Sequence, residues 1–223
     1  MKKKTLISLI CSVVLLLVFV AFTLIVKFVD LSLVGNTGKE IGLSSINSYF
    51  YLRLKPLDIW HTLSNIIFVL ALFIAVAFVI VGIYQLVTRK SLNKIDKDIV
   101  AVISSYALVA LVYVFFELVV VNFRPILIDG VVEASYPSSH VMISLVVITS
   151  AVMFLCGRVN TKIKKVLAIV SGVMLSLMVI IFRILSARHW ITDIIAGVII
   201  AFAILSCYVL ITNIINKKGD GDD

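Results

Sequence analysis

Six long, predominantly apolar stretches decide what this chain can become. They run over residues 5–29, 63–87, 99–121, 137–156, 166–182 and 191–215. A helix of about 20 apolar residues crosses the hydrocarbon layer of a bilayer. Membrane strands alternate apolar and polar positions, and these runs do not. With 62% hydrophobic and 14% charged residues among 223, the composition lies outside the soluble range. The expected fold is all-α: a polytopic membrane protein, a six-transmembrane helix bundle forming one integral membrane domain. Within it, residues 1–62 hold the first span and an outer segment, residues 63–215 a five-span core, and residues 216–223 a short tail.

The first run follows "MKKK". It is longer than the h-region of a signal peptide and lacks a small-residue cleavage site, so it reads as an uncleaved span. Thirteen of the twenty Lys and Arg fall in "MKKK", "TRKSLNKIDK", "GRVNTKIKK" and "NKK". Six spans put all four segments on one side, and the positive-inside rule makes that side cytoplasmic. The N and C termini are therefore expected in the cytoplasm, with the chain a multi-pass protein of the plasma membrane. The net charge of +8 is accounted for by topology, and no nucleic-acid partner is implied. Cys11, Cys156 and Cys207 lie in or at the ends of spans without paired spacing, so neither a disulfide nor a metal framework is expected.

Polar residues converge where the runs stop. Arg124 and Pro125 end the third run, "YPSSH" (Tyr136 to His140) opens the fourth, Arg183 ends the fifth, and His189 and Asp193 open the sixth. The topology brings all of them to the outer end of the bundle. An ionised carboxylate inside a span costs about 2.5–3.5 kcal/mol on insertion scales, so Asp193 needs a reason to be there. His189 precedes it by four residues, which on a helix puts imidazole and carboxylate on one face. Spacing alone leaves two readings open: a structural ion pair between helices, or a histidine activated as nucleophile or base. In "YPSSH", Pro137 suits a helix start and Ser138 an N-cap. The positive end of such a helix favours an anion, and Arg124 and Arg183 add guanidinium forks that match phosphate oxygens. His140, one position on, is placed to protonate a leaving group.

At these residues the chain resembles the type 2 phosphatidic acid phosphatase superfamily of membrane lipid phosphatases. The family's motifs are Lys-x6-Arg-Pro, Pro-Ser-Gly-His and Ser-Arg-x5-His-x3-Asp; this chain reads "ELVVVNFRP", "PSSH" and "FRILSARHWITD" in the same order. The resemblance covers residue 63 to the C-terminus. It implies a lipid phosphatase that hydrolyses a phosphatidate, phosphatidylglycerophosphate or polyprenyl diphosphate type of substrate at the extracytoplasmic face. His189 would attack phosphorus to give a phosphohistidine, Asp193 would orient it, and His140 would act as acid. Arg124, Arg183, Ser138 and Ser139 would hold the phosphoryl oxygens. It implies no metal and no cofactor, and its partners are the bilayer and a lipid with a phosphate headgroup. Two rival functions remain: lipid-to-lipid phosphotransfer, and binding or transport of a lipid phosphate without turnover.

Three positions depart from the motifs. Glu117 replaces the leading Lys, Phe182 the Ser before Arg183, and Ser139 the Gly. A carboxylate aimed at phosphate would be costly, so Glu117 is expected to pair with Arg124 instead, with Arg188, Arg53 or Lys55 supplying the missing cation. His61, Trp60 and Trp190 read as interfacial residues. Asp129 and Glu133 read as solubilising loop residues within reach of the headgroup. Residues 30–56 hold two patches suited to amphipathic surface helices.

Overall fold

The computed structural model describes residues 3–33, 38–128 and 130–219, with side chains through residue 215. Six of its helices are long and apolar enough to span a membrane. In chain order the elements are α1 (Lys3–Phe28), a two-residue hairpin of β1 (Ser32–Leu33) and β2 (Glu40–Ile41), α2 (Ser44–Tyr51) and α3 (Asp58–Arg89). A single 3-10 turn, Leu92–Lys94, leads to α4 (Lys97–Leu118), followed by α5 (Ser139–Arg158), α6 (Lys162–Leu185) and α7 (Ile191–Gly219). Asp129 and residues 220–223 lie outside the described residues, so the reading of Asp129 and that of the tail tip have no structural counterpart here.

α5 and α7 form the centre. Half of each spanning window is buried, against 11–17% for α1, α3 and α6, which face outward. α7 is packed along α1, α4 and α5, while α5 also meets α3 and α6. The apolar core runs through Val141, Leu145, Ile194, Ala201 and Ile204, where small residues on α7 let neighbouring backbones approach. Gly197 shows why. A Cβ there would lie 2.9 Å from the Ser138 carbonyl oxygen and 3.2 Å from Val141 Cβ. A thin polar seam ties α1 to α7: the Ser12 hydroxyl donates to Ser206 Oγ at 3.0 Å, and Asn213 Nδ2 donates to Ser8 Oγ at 3.4 Å. Such bonds hold helices together where lipid gives no hydrophobic drive.

Three boundaries differ from the sequence reading, each for a polar reason. α3 starts at Asp58 rather than residue 63 and is 32 residues long. Its first turns carry Asp58, His61 and Ser64, which extend the helix beyond its apolar run. α4 stops at Leu118, before Pro125, because residues 122–124 lie extended against 133–135: Phe123 bridges Ala134, Ser135 N–H donates to Asn122 O at 3.0 Å, and Arg124 N–H to Glu133 O at 3.0 Å. Among the described residues, the outer segment forms one short helix, α2, where two surface helices were expected, and it packs on α7.

The opposite end of the bundle is closed by Asp96. Its carboxylate accepts from Arg89 Nη1 at 2.7 Å, Gln85 Nε2 at 2.9 Å and Arg158 Nη2 at 3.4 Å, so it joins α3 to α5. The Arg89 hydrogen bond is the main cause that holds this carboxyl below its ordinary range. Its folded-state pKa is depressed, so its contribution is complete at neutral pH and fades as acid protonates the folded carboxylate. Asp96→Ala is expected to lower stability by about 1 kcal/mol at neutral pH, the upper range of exposed ion pairs. Thermal melts in detergent at pH 7 and pH 3.5 check this; the gap between variant and parent should narrow at the lower pH.

Candidate active site

The end of the bundle away from Asp96 gathers the motif residues, and Arg183 is at their centre. Its side chain is 1% exposed. Nη1 donates to His61 Nδ1 at 3.2 Å and to Ser64 Oγ at 3.4 Å; Nη2 donates to His140 Nδ1 at 3.4 Å and His189 Nε2 at 3.3 Å. A guanidinium has only donors, so each of these imidazole nitrogens is an acceptor and carries no proton. Among the described residues no carboxylate forms an ion pair with Arg183. A buried cation without a counter-charge is costly, and an anion at this place would relieve that cost.

His189 is the second fixed point. It sits in the connection between α6 and α7, not on the helix. Ala187, with φ +49°, adopts the left-handed conformation after the last turn of α6 and swings the following residues across the bundle. The ring is then held from both sides. Nδ1–H donates to the Ser135 carbonyl at 3.0 Å, which leaves Nε2 with its lone pair. Nε2 faces two guanidinium donors, Arg183 Nη2 at 3.3 Å and Arg124 Nη1 at 3.1 Å. Burial first, and then the nearby Arg183 and Arg124 charges, hold His189 well below the ordinary histidine range. It is neutral at physiological pH.

Asp193 has more than the one task that spacing suggested. Oδ2 lies 3.6 Å from His189 Nδ1, further than the Ser135 carbonyl. The same oxygen accepts the Trp190 backbone N–H at 3.1 Å, the reach-back half of a capping box that fixes the start of α7. Oδ1 accepts from Asn122 Nδ2 at 3.2 Å. The imidazole and carboxylate expected to adjoin from their four-residue spacing do so at 3.6 Å, but across the cap of α7 and not along one helix face, because the helix begins only at Ile191.

Ser138 occupies the N-cap position of α5, but its hydroxyl makes no capping bond, and its N–H donates to the Asp193 carbonyl at 3.0 Å. That N–H is therefore already committed to locking α5 against α7. Ser139 lines a small cleft together with Glu117, Arg124, Tyr136, Pro137 and His189. As the first residue of α5 it carries a backbone N–H that has no partner within the helix. His140 follows and stacks on Phe68 of α3, ring centroids 4.1 Å apart.

The expected Glu117–Arg124 pair does not form. Arg124 Nε instead bonds Glu133 Oε2 at 3.1 Å, because the extended strand after α4 turns the guanidinium toward the facing loop. Glu117 stays on α4 at the cleft wall. Arg188 Nη2 points to Asp58 at 3.7 Å, while the Arg188 carbonyl accepts from Arg124 at 3.3 Å. Arg53 folds back over the Tyr49 ring. Phe182, in place of the motif Ser, stacks on Trp60 at 5.5 Å. Trp190 is buried, with its indole N–H bonded to the Phe123 carbonyl and its ring 5.3 Å from Tyr51, so it is a structural bolt and not an interfacial residue.

Three contributors were not legible as such. His61 looked interfacial yet binds Arg183. Asn122 and Asn47, both fully buried, tie the outer segment to the start of α7. Gly42 N–H donates to Asn122 Oδ1 at 3.2 Å, Asn47 Nδ2 to Gly42 O at 2.8 Å, and Thr192 N–H to Asn47 Oδ1 at 3.3 Å. The one available clue was an Asn two residues before the motif Arg, a polar side chain at the edge of an apolar run.

The fold and these junctions define a membrane protein of the phosphatase type described by the three motifs. The family model of the PAP2 superfamily matches residues 99–217, more than half of the chain, and the chain belongs to that superfamily. The fold also matches a solved structure, "Crystal structure of the first transmembrane PAP2 type phosphatidylglycerolphosphate phosphatase from Bacillus subtilis". It shares 18% identity and a TM-score of 0.58, over 94% of this chain and 96% of that one. No curated protein sequence matches the chain.

Asn122→Ala leaves the Gly42 N–H and one Asp193 oxygen unpaired. Each buried unsatisfied group costs about 1–3 kcal/mol, so a loss of about 2–6 kcal/mol is expected for the two. Chemical or thermal unfolding in detergent measures it, and Asn122→Asp should fail to restore stability because it sets two carboxylates face to face.

Proposed function

We propose that this chain is a lipid phosphatase that works through a phosphohistidine on His189. One observation carries the reading: an unprotonated imidazole nitrogen aimed between two guanidinium groups, one of them buried without a carboxylate. A phosphoryl group drawn to Arg183 and Arg124 would lie against His189 Nε2, with His140 bonded to the same Arg183 nitrogen and so within two hydrogen-bond lengths.

The proposed reaction has two steps. In the first, the Nε2 lone pair forms an N–P bond as the bond from phosphorus to the leaving oxygen breaks. A proton carried by His140 passes to that oxygen, and the alcohol, or a phosphate in the case of a diphosphate, departs. In the second, His140 takes a proton from water as the water oxygen bonds to phosphorus. The N–P bond breaks, and inorganic phosphate leaves. Arg124, Arg183 and the Ser139 N–H neutralise the equatorial oxygens, where charge spreads in the transition state. Ser138 acts through position: it locks α5 to α7. Asp193 holds the loop that presents His189 and supports the imidazolium as it forms.

No metal is required by this scheme, and among the described residues no three His, Cys, Asp or Glu side chains form a metal-binding group. The site lies at the end of the bundle opposite the Arg89–Lys97 and Arg158–Lys165 loops. The positive-inside rule supports an orientation with the site outside the cytoplasm and both termini inside, and the plasma membrane is the host proposed for it. Phosphatidylglycerophosphate is the first substrate to test, since the structural relative carries that activity in its description; phosphatidate and polyprenyl diphosphate complete the panel.

Phosphate release in detergent with EDTA present is the direct assay. The expected result is metal-independent release, loss to background in His189→Ala, and a fall of about 10²–10⁴ in His140→Ala, the range of general acid catalysis. Phosphate recovered on a second lipid would identify a transferase, and binding without release would refute turnover. The pH profile tests the charge states. His189 must be unprotonated and its folded-state pKa is lowered, so kcat/KM should show no acid limb at the ordinary histidine value of about 6.5; the limb falls lower. A nucleophile pKa measured near 6.5 or above would contradict the buried, Arg-flanked environment.

A further inference from the structure

A second feature lies at membrane depth. α1 and α4 both pack on α7 but barely on each other, and the gap between them is a groove of about 740 Å³. That volume is within the roughly 300–1,000 Å³ of sites that take small-molecule ligands. Ile200 of α7 lines it, and its walls are residues 16–28 of α1 and 111–121, the end of α4 with the three residues that follow it. At 1.5 Å per residue the α1 wall is about 18 Å long. This is a little over half of a hydrocarbon layer about 30 Å thick, one leaflet's depth. It is the half at the catalytic end, because the α4 wall runs directly into Asn122 and Arg124.

The walls are apolar except at the outer rim. There Thr23 meets the Tyr136 hydroxyl at 2.7 Å and Lys27 donates to the Val120 carbonyl at 2.9 Å. Two residues connect groove and site. Phe116 lines both the groove and the cleft that holds Glu117, Arg124 and His189. Tyr136, bonded to Thr23 of the groove, opens the same cleft. An aliphatic chain lying in this trough would bring its headgroup to Lys27 and the cleft at once.

We propose that the α1–α4 groove seats an acyl chain of the lipid phosphate substrate, with Lys27 as a cation for the headgroup at its outer end. This rests on the lipid phosphatase reading and adds where the substrate lies. The position makes the first span part of the binding site, although all three sequence motifs lie after it. An ordinary annular lipid is the competing occupant; it would need no phosphate and no particular headgroup.

The test is photo-crosslinking of the full-length His189→Ala protein in nanodiscs, with a long-chain phosphatidate carrying a diazirine on its acyl chain. Label should fall on residues 16–28 and 111–121, and exceed that from the matching diacylglycerol about tenfold, a difference of 1.4 kcal/mol. Label equal for the two lipids, or confined to other helices, overturns the proposal. Turnover supplies a second arm. Val20→Trp and Leu111→Trp should lower the ratio of long-chain to short-chain phosphatidate kcat/KM about tenfold. Val173→Trp, on the exposed face of α6, should leave that ratio unchanged. A ratio unaffected by the two groove substitutions also overturns it. If phosphate-selective label maps to the groove while no lipid phosphate is hydrolysed, the groove stands and the phosphatase reading falls.

Discussion

The buried guanidinium of Arg183 organises everything at the outer end of this bundle. A charge taken out of water must be answered, and the chain answers it with imidazole and hydroxyl acceptors and not with a carboxylate. Those neutral acceptors take up its Nη1 and Nη2 donors, leave the buried Nε–H without a partner, and leave its charge uncancelled. The positive potential that results does two things together. It adds to burial, the larger cause, in keeping His189 unprotonated, and it makes the space beside His189 Nε2 favourable for an anion. In the proposed reaction, nucleophile and anion site both follow from this one arrangement of charge.

The remaining contacts serve to keep that arrangement in register. Four helix ends meet here, and each is tied to another by a bond that crosses a long stretch of sequence. Ser135 and Arg124 hold His189; Asp193 holds Asn122 and receives Ser138 through its carbonyl. Gly197 lets α5 come close enough for the last of these to form. α2 adds a lid of hydrogen bonds through Asn47. Lipid supplies little drive for helix association, so these polar ties and the close packing of small residues carry much of the specificity. A geometry that must be correct to a fraction of an ångström for phosphoryl transfer is therefore built on the rigid ends of spans.

How much of this the sequence disclosed follows from the range of the interactions. The six spans are local, since twenty apolar residues announce themselves wherever they lie, and each was found. Arg124, His140, Arg183 and His189 were also legible, because charged or titratable groups at span ends are rare enough to stand out. What escaped depends on partners far away in the chain. Glu133 read as a loop residue because nothing local shows that it faces Arg124. His61 read as interfacial because its partner, Arg183, is 122 residues away. Asp193 was singled out by its spacing, and its carboxylate does lie 3.6 Å from His189 Nδ1; what the spacing did not disclose is that the contact is made across the cap of α7, which starts after His189. Ser138 was placed properly at the N-cap, but the acceptor that consumes its N–H belongs to another helix.

The central claim is that His189 Nε2 becomes bonded to phosphorus. Rapid acid-free quench of the protein with ³²P-labelled phosphatidylglycerophosphate or phosphatidate, followed by peptide mass spectrometry, tests it most directly. The account predicts an acid-labile, base-stable phosphoryl group on the peptide containing Arg188, His189 and Trp190, bonded at the ring nitrogen that faces the two arginines. Turnover with label on His140 or His61, or with none on any histidine under conditions that trap the intermediate, would contradict it.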